Sequence, residues 1–241
     1  GGSLGAIFGS EISKRFSGSF DELGIELFSL SAALFLLLAM LLALYMLSIS
    51  NNDQTIDTDN AGGGSFDAIK NSLQINEIRN IASYVWIWTA LMTVQWITAI
   101  NIVEDWSQNS EQRLRFFAIM EQVISPLTLI IQLFFTNLII KKIGIKNILL
   151  SYGILFCIAF ILYGLIPSII SVGVVTVFLR VFEYGINKPT RETIFSTLKK
   201  NDRYKSTVFI DTFISRFGDL SGSGFIAIGK LTSIAANSLP L

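Results

Sequence analysis

Histidine does not occur in this chain of 241 residues, and cysteine occurs once. Without histidine, the commonest general base, the Ser-His and Cys-His nucleophile pairs and the commonest metal ligand are all missing, so ordinary hydrolase chemistry is disfavoured. Cys157 stands alone in an apolar run, which rules out an internal disulfide and argues against a cysteine metal site. Charge is scarce as well: Asp, Glu, Lys and Arg make up 15% of the residues, where a soluble domain carries about a quarter. There is no initiator Met and no signal-peptide pattern. The opening Gly1-Gly2-Ser3-Leu4-Gly5 reads as the middle of a helix and suggests a cut end.

Apolar residues are abundant instead, at 51% of the chain, and the mean hydropathy is +0.59. A membrane span needs about 20 mostly apolar residues to cross roughly 30 Å of hydrocarbon. Hydrophobic length marks a partial span ending near Ser10, then spans from about Glu26 to Ser48, Ile78 to Val103, Phe116 to Ile140, Asn147 to Ile166, Ile169 to Ile186 and Thr207 to Ala236. The expectation is an all-α integral membrane protein with seven crossings, the first incomplete; a large soluble all-α bundle is the alternative. Ile166-Pro167-Ser168 is too short for anything but an antiparallel helix hairpin, with proline stopping the first helix. Pro126 predicts a kink in the fourth span.

Residues 51–76 form a different kind of segment. Asn51-Asn52-Asp53-Gln54 through Gly62-Gly63-Gly64 is polar and glycine-rich, cannot bury a core, and reads as a flexible linker. Phe66, Ile69 and Leu73 follow at helical spacing beside Asp67 and Lys70, as in an amphipathic helix on a membrane surface, or as the tail of the linker. Lysine and arginine concentrate in alternate loops: Lys70, Arg79, Lys141, Lys142, Lys146 and the basic run from Lys188 to Lys205 fall on one side, Lys14, Arg15, Arg113 and Arg115 on the other. Positive loops stay cytoplasmic, which puts the linker and the loop 188–206 there.

Several charges fall where lipid should be. Arg180 and Glu183 lie in the sixth span, and Asp211, Arg216 and Asp219 in the seventh; in each an arginine precedes an acid by three positions, on one helix face. A charge at mid-membrane costs about 2.5–3.5 kcal/mol, and each large apolar residue returns only about 0.3–0.6. Such charges must pair with each other or face a watery cavity or a partner helix, lining a pathway or fixing helix packing. Glu121 stands in the fourth span near Gln122 and Gln132, as a proton or cation relay, a countercharge to a cavity arginine, or a snorkelling end residue. Gly1, Gly5 and Gly9, and likewise Gly218 and Gly222, recur every four residues, a spacing that lets helix backbones approach. Trp86, Trp88 and Trp96 cluster on the third span as core or interface packing.

The stretch Asn187-Lys188-Pro189-Thr190-Arg191-Glu192-Thr193-Ile194-Phe195, followed by Asp202-Arg203-Tyr204-Lys205, Phe209-Ile210-Asp211-Thr212 and Arg216-Phe217-Gly218-Asp219, resembles a characteristic part of the bacterial ATP/ADP translocase-like proteins. These are the NTP/NDP exchange transporters, relatives of the major facilitator superfamily. The glycine-rich opening and residues 117–144 carry the likeness less sharply. The resemblance implies a major-facilitator-like bundle in which the seven spans correspond to helices five to eleven of twelve. Residues 1–50 would end the N-terminal half, 51–76 would be the cytoplasmic linker, and 77–241 would be the C-terminal half without its last helix.

It further implies a secondary transporter of the inner (plasma) membrane that exchanges a nucleotide or another organic anion by alternating access, breaking no bond and using no cofactor. The partners implied are the lipid bilayer, a small anionic substrate and the missing N-terminal half, with no nucleic acid. Arg180 and Arg216 would bind the anion, arginine being suited to bidentate phosphate contact, with Glu183 and Asp219 beside them. Lys188, Arg191, Glu192 and Asp211 would form a gate at the cytoplasmic mouth, and Glu121 would serve coupling. The alternative is a transporter-derived module that senses or anchors and moves nothing. The absence of a glycine-rich phosphate loop ending in Lys-Ser or Lys-Thr disfavours an ATP-hydrolysing enzyme.

Overall fold

The computed structural model describes residues 2–16, 24–50, 75–196 and 200–237, and every element within them is helical. The elements are α1 (Gly2–Phe16), α2 (Gly24–Ser50), α3 (Asn76–Trp106), α4 (Ser110–Ile143), α5 (Ile145–Leu165), α6 (Ile169–Phe195) and α7 (200–237). Most of the linker, with Phe66, Ile69 and Leu73, lies outside the described residues.

Among the described residues, α3, α4, α5 and α6 are long and apolar enough to cross a membrane, and α2 holds a shorter apolar run, Ala32–Met46. The last helix runs through the expected seventh span but is not among those four; Asp211, Arg216, Asp219 and Lys230 are spread along it. Polarity is distributed as a bilayer demands. Leu133, Leu165, Ile170, Phe178 and Phe225 are exposed, whereas Gln95, Thr176, Glu183, Asn187 and Arg191 are buried. A soluble bundle would not present apolar surface on this scale, so the chain has the make-up of a membrane helical bundle.

The connections are tight. α4 passes into α5 at Gly144, whose φ of 83° is a left-handed conformation that a side chain would strain. Between α5 and α6, the break at Ile166-Pro167-Ser168 gives the expected hairpin. Ser168 caps α6 through a reciprocal capping box with Ser171. Past Ile186, where apolar length puts the end of the sixth span, α6 continues through Pro189 to Phe195. The connection between the last two helices is therefore shorter than the expected loop 188–206.

The helices form two compact units. The first holds α1, α2 and α4 up to Gln122. In it the Gln122 side-chain amide donates to Glu11 Oε2 at 2.6 Å, and the buried Ser10 hydroxyl donates to the Ile7 carbonyl at 2.9 Å. The second unit holds α3, α4 from Val123, and α5 to α7. In it α7 lies close against α3 at two glycines. A Cβ on Gly218 would lie 2.8 Å from the Trp86 carbonyl oxygen, and one on Gly222 would lie 2.9 Å from Thr93 Cβ. The small-residue spacing read from the sequence is therefore a contact surface here, whereas Gly5 and Gly9 in the first unit have open space around them.

This crossing sets a test. Overpacking typically costs about 1–3 kcal/mol, so Gly218→Ala lowers the thermal unfolding midpoint of the detergent-solubilised protein by several degrees. Gly224→Ala, at a glycine with open space around it, leaves the midpoint unchanged.

Candidate functional site

The second unit buries a cluster of charge and polarity at the middle of α6. Glu183 is 2% exposed and accepts from two sides. Arg191 Nη2 donates to its Oε1 at 3.2 Å, and the Asn187 amide donates to its Oε2 in a short hydrogen bond. Asn187 in turn accepts at Oδ1 from the Tyr84 hydroxyl of α3 at 2.8 Å. The Arg191 guanidinium lies over the Trp88 ring, 5.0 Å from its centroid, so an aromatic face supplies part of the solvation that water cannot. Tyr152 of α5 closes the cluster, stacked on Phe182 with ring centroids 5.4 Å apart.

Satisfaction is incomplete. Arg191 Nε and Trp88 Nε1 are buried without a hydrogen-bond partner among the described residues. Buried groups of this kind are costly and uncommon, and they mark places where an arrangement is held for a reason other than stability.

Proline explains the backbone at this point. In a regular helix the amide of residue 189 would serve the carbonyl of Gly185, but Pro189 has none to give. The helix responds with a π turn over Glu183–Asn187, in which the Lys188 amide reaches back to the Glu183 carbonyl. Two carbonyls are thereby left to side chains of α4: Gln132 Nε2 donates to Tyr184 O at 2.9 Å and Thr136 Oγ1 to Gly185 O at 2.6 Å. α4 carries its own π turn at the same place, Ile131–Phe135. The two irregular turns fit together because residue 185 is glycine: a Cβ there would lie 2.9 Å from Ile131 Cγ2. π turns of this kind concentrate at functional sites. A third lies in α7 over Ile210–Ile214.

The other expected site residues are placed as follows. Arg216 and Asp219 form the expected pair three residues apart, at 3.1 Å, with the arginine side chain 82% exposed. Asp219 also accepts from Thr93 of α3 at 2.9 Å. Arg180 and Glu183 are not brought together; Arg180 lies over the Tyr184 ring, 5.8 Å from its centroid, and Glu183 takes Arg191 instead. The reason is the π turn, which rotates the helix beyond it and swings Arg191 onto the buried face. Lys188, Glu192 and Asp211 are exposed, and Glu121 is half-buried in the part of α4 that belongs to the first unit.

Sequence reasoning passed over Tyr84 and Thr136, named Gln132 only as a neighbour of Glu121, and gave Trp88 only a packing role. It also missed a second buried polar contact, in which Gln95 Nε2 of α3 donates to the Tyr163 hydroxyl of α5 at 2.8 Å and to Thr176 Oγ1 of α6 at 3.3 Å. A lone glutamine in an apolar run is the signal that would have found it, since its amide must be paired inside the membrane. Comparison with protein-family models, with curated proteins and with solved structures gives no match.

The joint between α4 and α6 is open to test. Thr136→Val keeps the shape and removes the donor to Gly185. Leaving a buried carbonyl unpaired costs about 1–3 kcal/mol, so the variant unfolds at lower denaturant concentration, whereas Thr193→Val, at an exposed site on the same helix as Gly185, has no such effect.

Proposed function

We propose that this chain belongs to a secondary transporter of the inner membrane that moves an organic anion by alternating access, with a nucleotide of the ATP/ADP type as the first candidate and a major-facilitator-like arrangement of helices. The observation that carries the reading is the buried Glu183–Arg191 pair, seated on a π turn in an otherwise apolar helix. Ionisable groups inside membrane helices are expensive and mark solute or ion pathways. Transporters build such sites where a helix is interrupted. Arg191 is incompletely satisfied, which suits a group that changes partners as an inward mouth opens and closes.

The second support is Arg216. An arginine this exposed in the middle of a helix cannot face hydrocarbon, so its surroundings are a watery cavity or another polar surface. In this reading Arg216 and Arg180 meet the anion, Asp219 balances the charge of Arg216, Glu183 holds Arg191, and Lys188 and Glu192 stand at the cytoplasmic mouth with the linker. No covalent chemistry is involved.

The test is exchange by the full-length protein in liposomes preloaded with ADP, measured as uptake of labelled ATP. The reading predicts uptake that depends on the preload and falls at least tenfold in folded Arg180→Ala and Arg216→Ala variants. No uptake of ATP or of other organic anions by well-folded protein would reject transport and favour a membrane module that senses or anchors.

A further inference from the structure

A cleft of about 440 Å³ opens between α3 and α5 in the second unit, within the ~300–1,000 Å³ range of ligand pockets. One wall is a stripe of α3, Tyr84, Trp88 and Leu91; the other is a stripe of α5, Leu149, Gly153 and Phe156. Both follow the three-and-four-residue spacing of a single helix face. The lining is almost wholly apolar, and its one charged residue is Lys146, exposed in the first turn of α5. Lys141 and Lys142, also exposed, end α4 a few residues earlier.

Length and charge together select the occupant. Lys146 and Phe156 are ten residues apart, about 15 Å along the helix axis, which is half of a hydrocarbon core of about 30 Å. The cleft therefore runs from a basic rim to the depth of one leaflet, and its walls present almost no polar surface to hold a sugar, a base or a peptide. We infer that it is a binding site for an anionic phospholipid, with the headgroup phosphate at Lys146 and an acyl chain between the α3 and α5 stripes. Basic residues at the mouths of clefts between membrane helices recognise anionic headgroups in this way. The inference rests on the helices lying in a bilayer and not on the transport reading.

Gly153 gives the site its depth. A Cβ on it would have nothing within 4 Å, so a larger side chain there fills the cleft without disturbing the packing around it. The cleft wall is also the back of the polar cluster, since Trp88 carries Arg191 on its ring and Tyr152 is a lining residue. A lipid in the cleft presses directly on both.

The experiment is native mass spectrometry of the full-length protein in detergent, titrated with phosphatidylglycerol and with phosphatidylcholine of the same chain length. The site predicts one phosphatidylglycerol bound more tightly than phosphatidylcholine. Lys146→Gln removes that preference, weakening phosphatidylglycerol about fivefold, and Gly153→Leu weakens both lipids. Equal affinity for the two lipids, or unchanged phosphatidylglycerol binding in both variants with their thermal unfolding intact, would overturn the site. So would a dimer that Gly153→Leu separates into monomers, which would place a second copy of the chain in the cleft.

Discussion

A carboxylate held in hydrocarbon must find its cation and its hydrogen-bond donors inside the protein, and a backbone carbonyl there must find a donor as well. Both requirements meet at one turn of α6. Pro189 withdraws an amide, the helix loosens into a π turn, and the carbonyls of Tyr184 and Gly185 are taken by Gln132 and Thr136 of α4. The same turn carries Glu183 and Asn187 and brings Arg191 onto the buried face. The position of α4 against α6 and the position of the ion pair are thus consequences of one missing N–H.

Around that turn α3 acts as the common support. It supplies Tyr84 and Trp88 to the ion-pair cluster, Gln95 to the contact with Tyr163 and Thr176, and the surface on which Gly218 and Gly222 of α7 lie. Its outer stripe beside α5 is the wall of the apolar cleft. Buried ion pairs in general add little net stability, because desolvating the two charges costs about as much as their attraction returns. The cluster is better understood as a device that fixes which faces meet, with apolar packing and the glycine crossing supplying the cohesion.

What could be read from the sequence was whatever depends on local spacing. Apolar length located the long helices, Pro167 located the hairpin, the Gly218 and Gly222 interval located a close helix contact, and the interval from Arg216 to Asp219 gave a real pair. Glu183 escaped the same rule. Its partner is eight residues away, about 12 Å along a regular helix, outside the three-to-four-residue reach used to pair side chains. A π turn and the length of an arginine close that gap, and nothing in the spacing announces either. The donors on α4 were hidden for a related reason: a side chain bonded to a carbonyl some fifty residues away leaves no periodic trace. Pro189 was the visible clue, since a proline inside a helix withdraws an amide from the ladder.

The central claim, that Glu183 and Arg191 are a coupled buried pair, is tested most directly by a double-mutant cycle. The denaturant stability of the full-length protein is measured for Glu183→Gln, for Arg191→Met and for the two together. Removing one partner from a buried pair costs about 3–5 kcal/mol, because the other charge is stranded. The account predicts large losses in each single variant and a much smaller loss in the double variant than their sum. Additive losses, or single variants as stable as the parent, would contradict it.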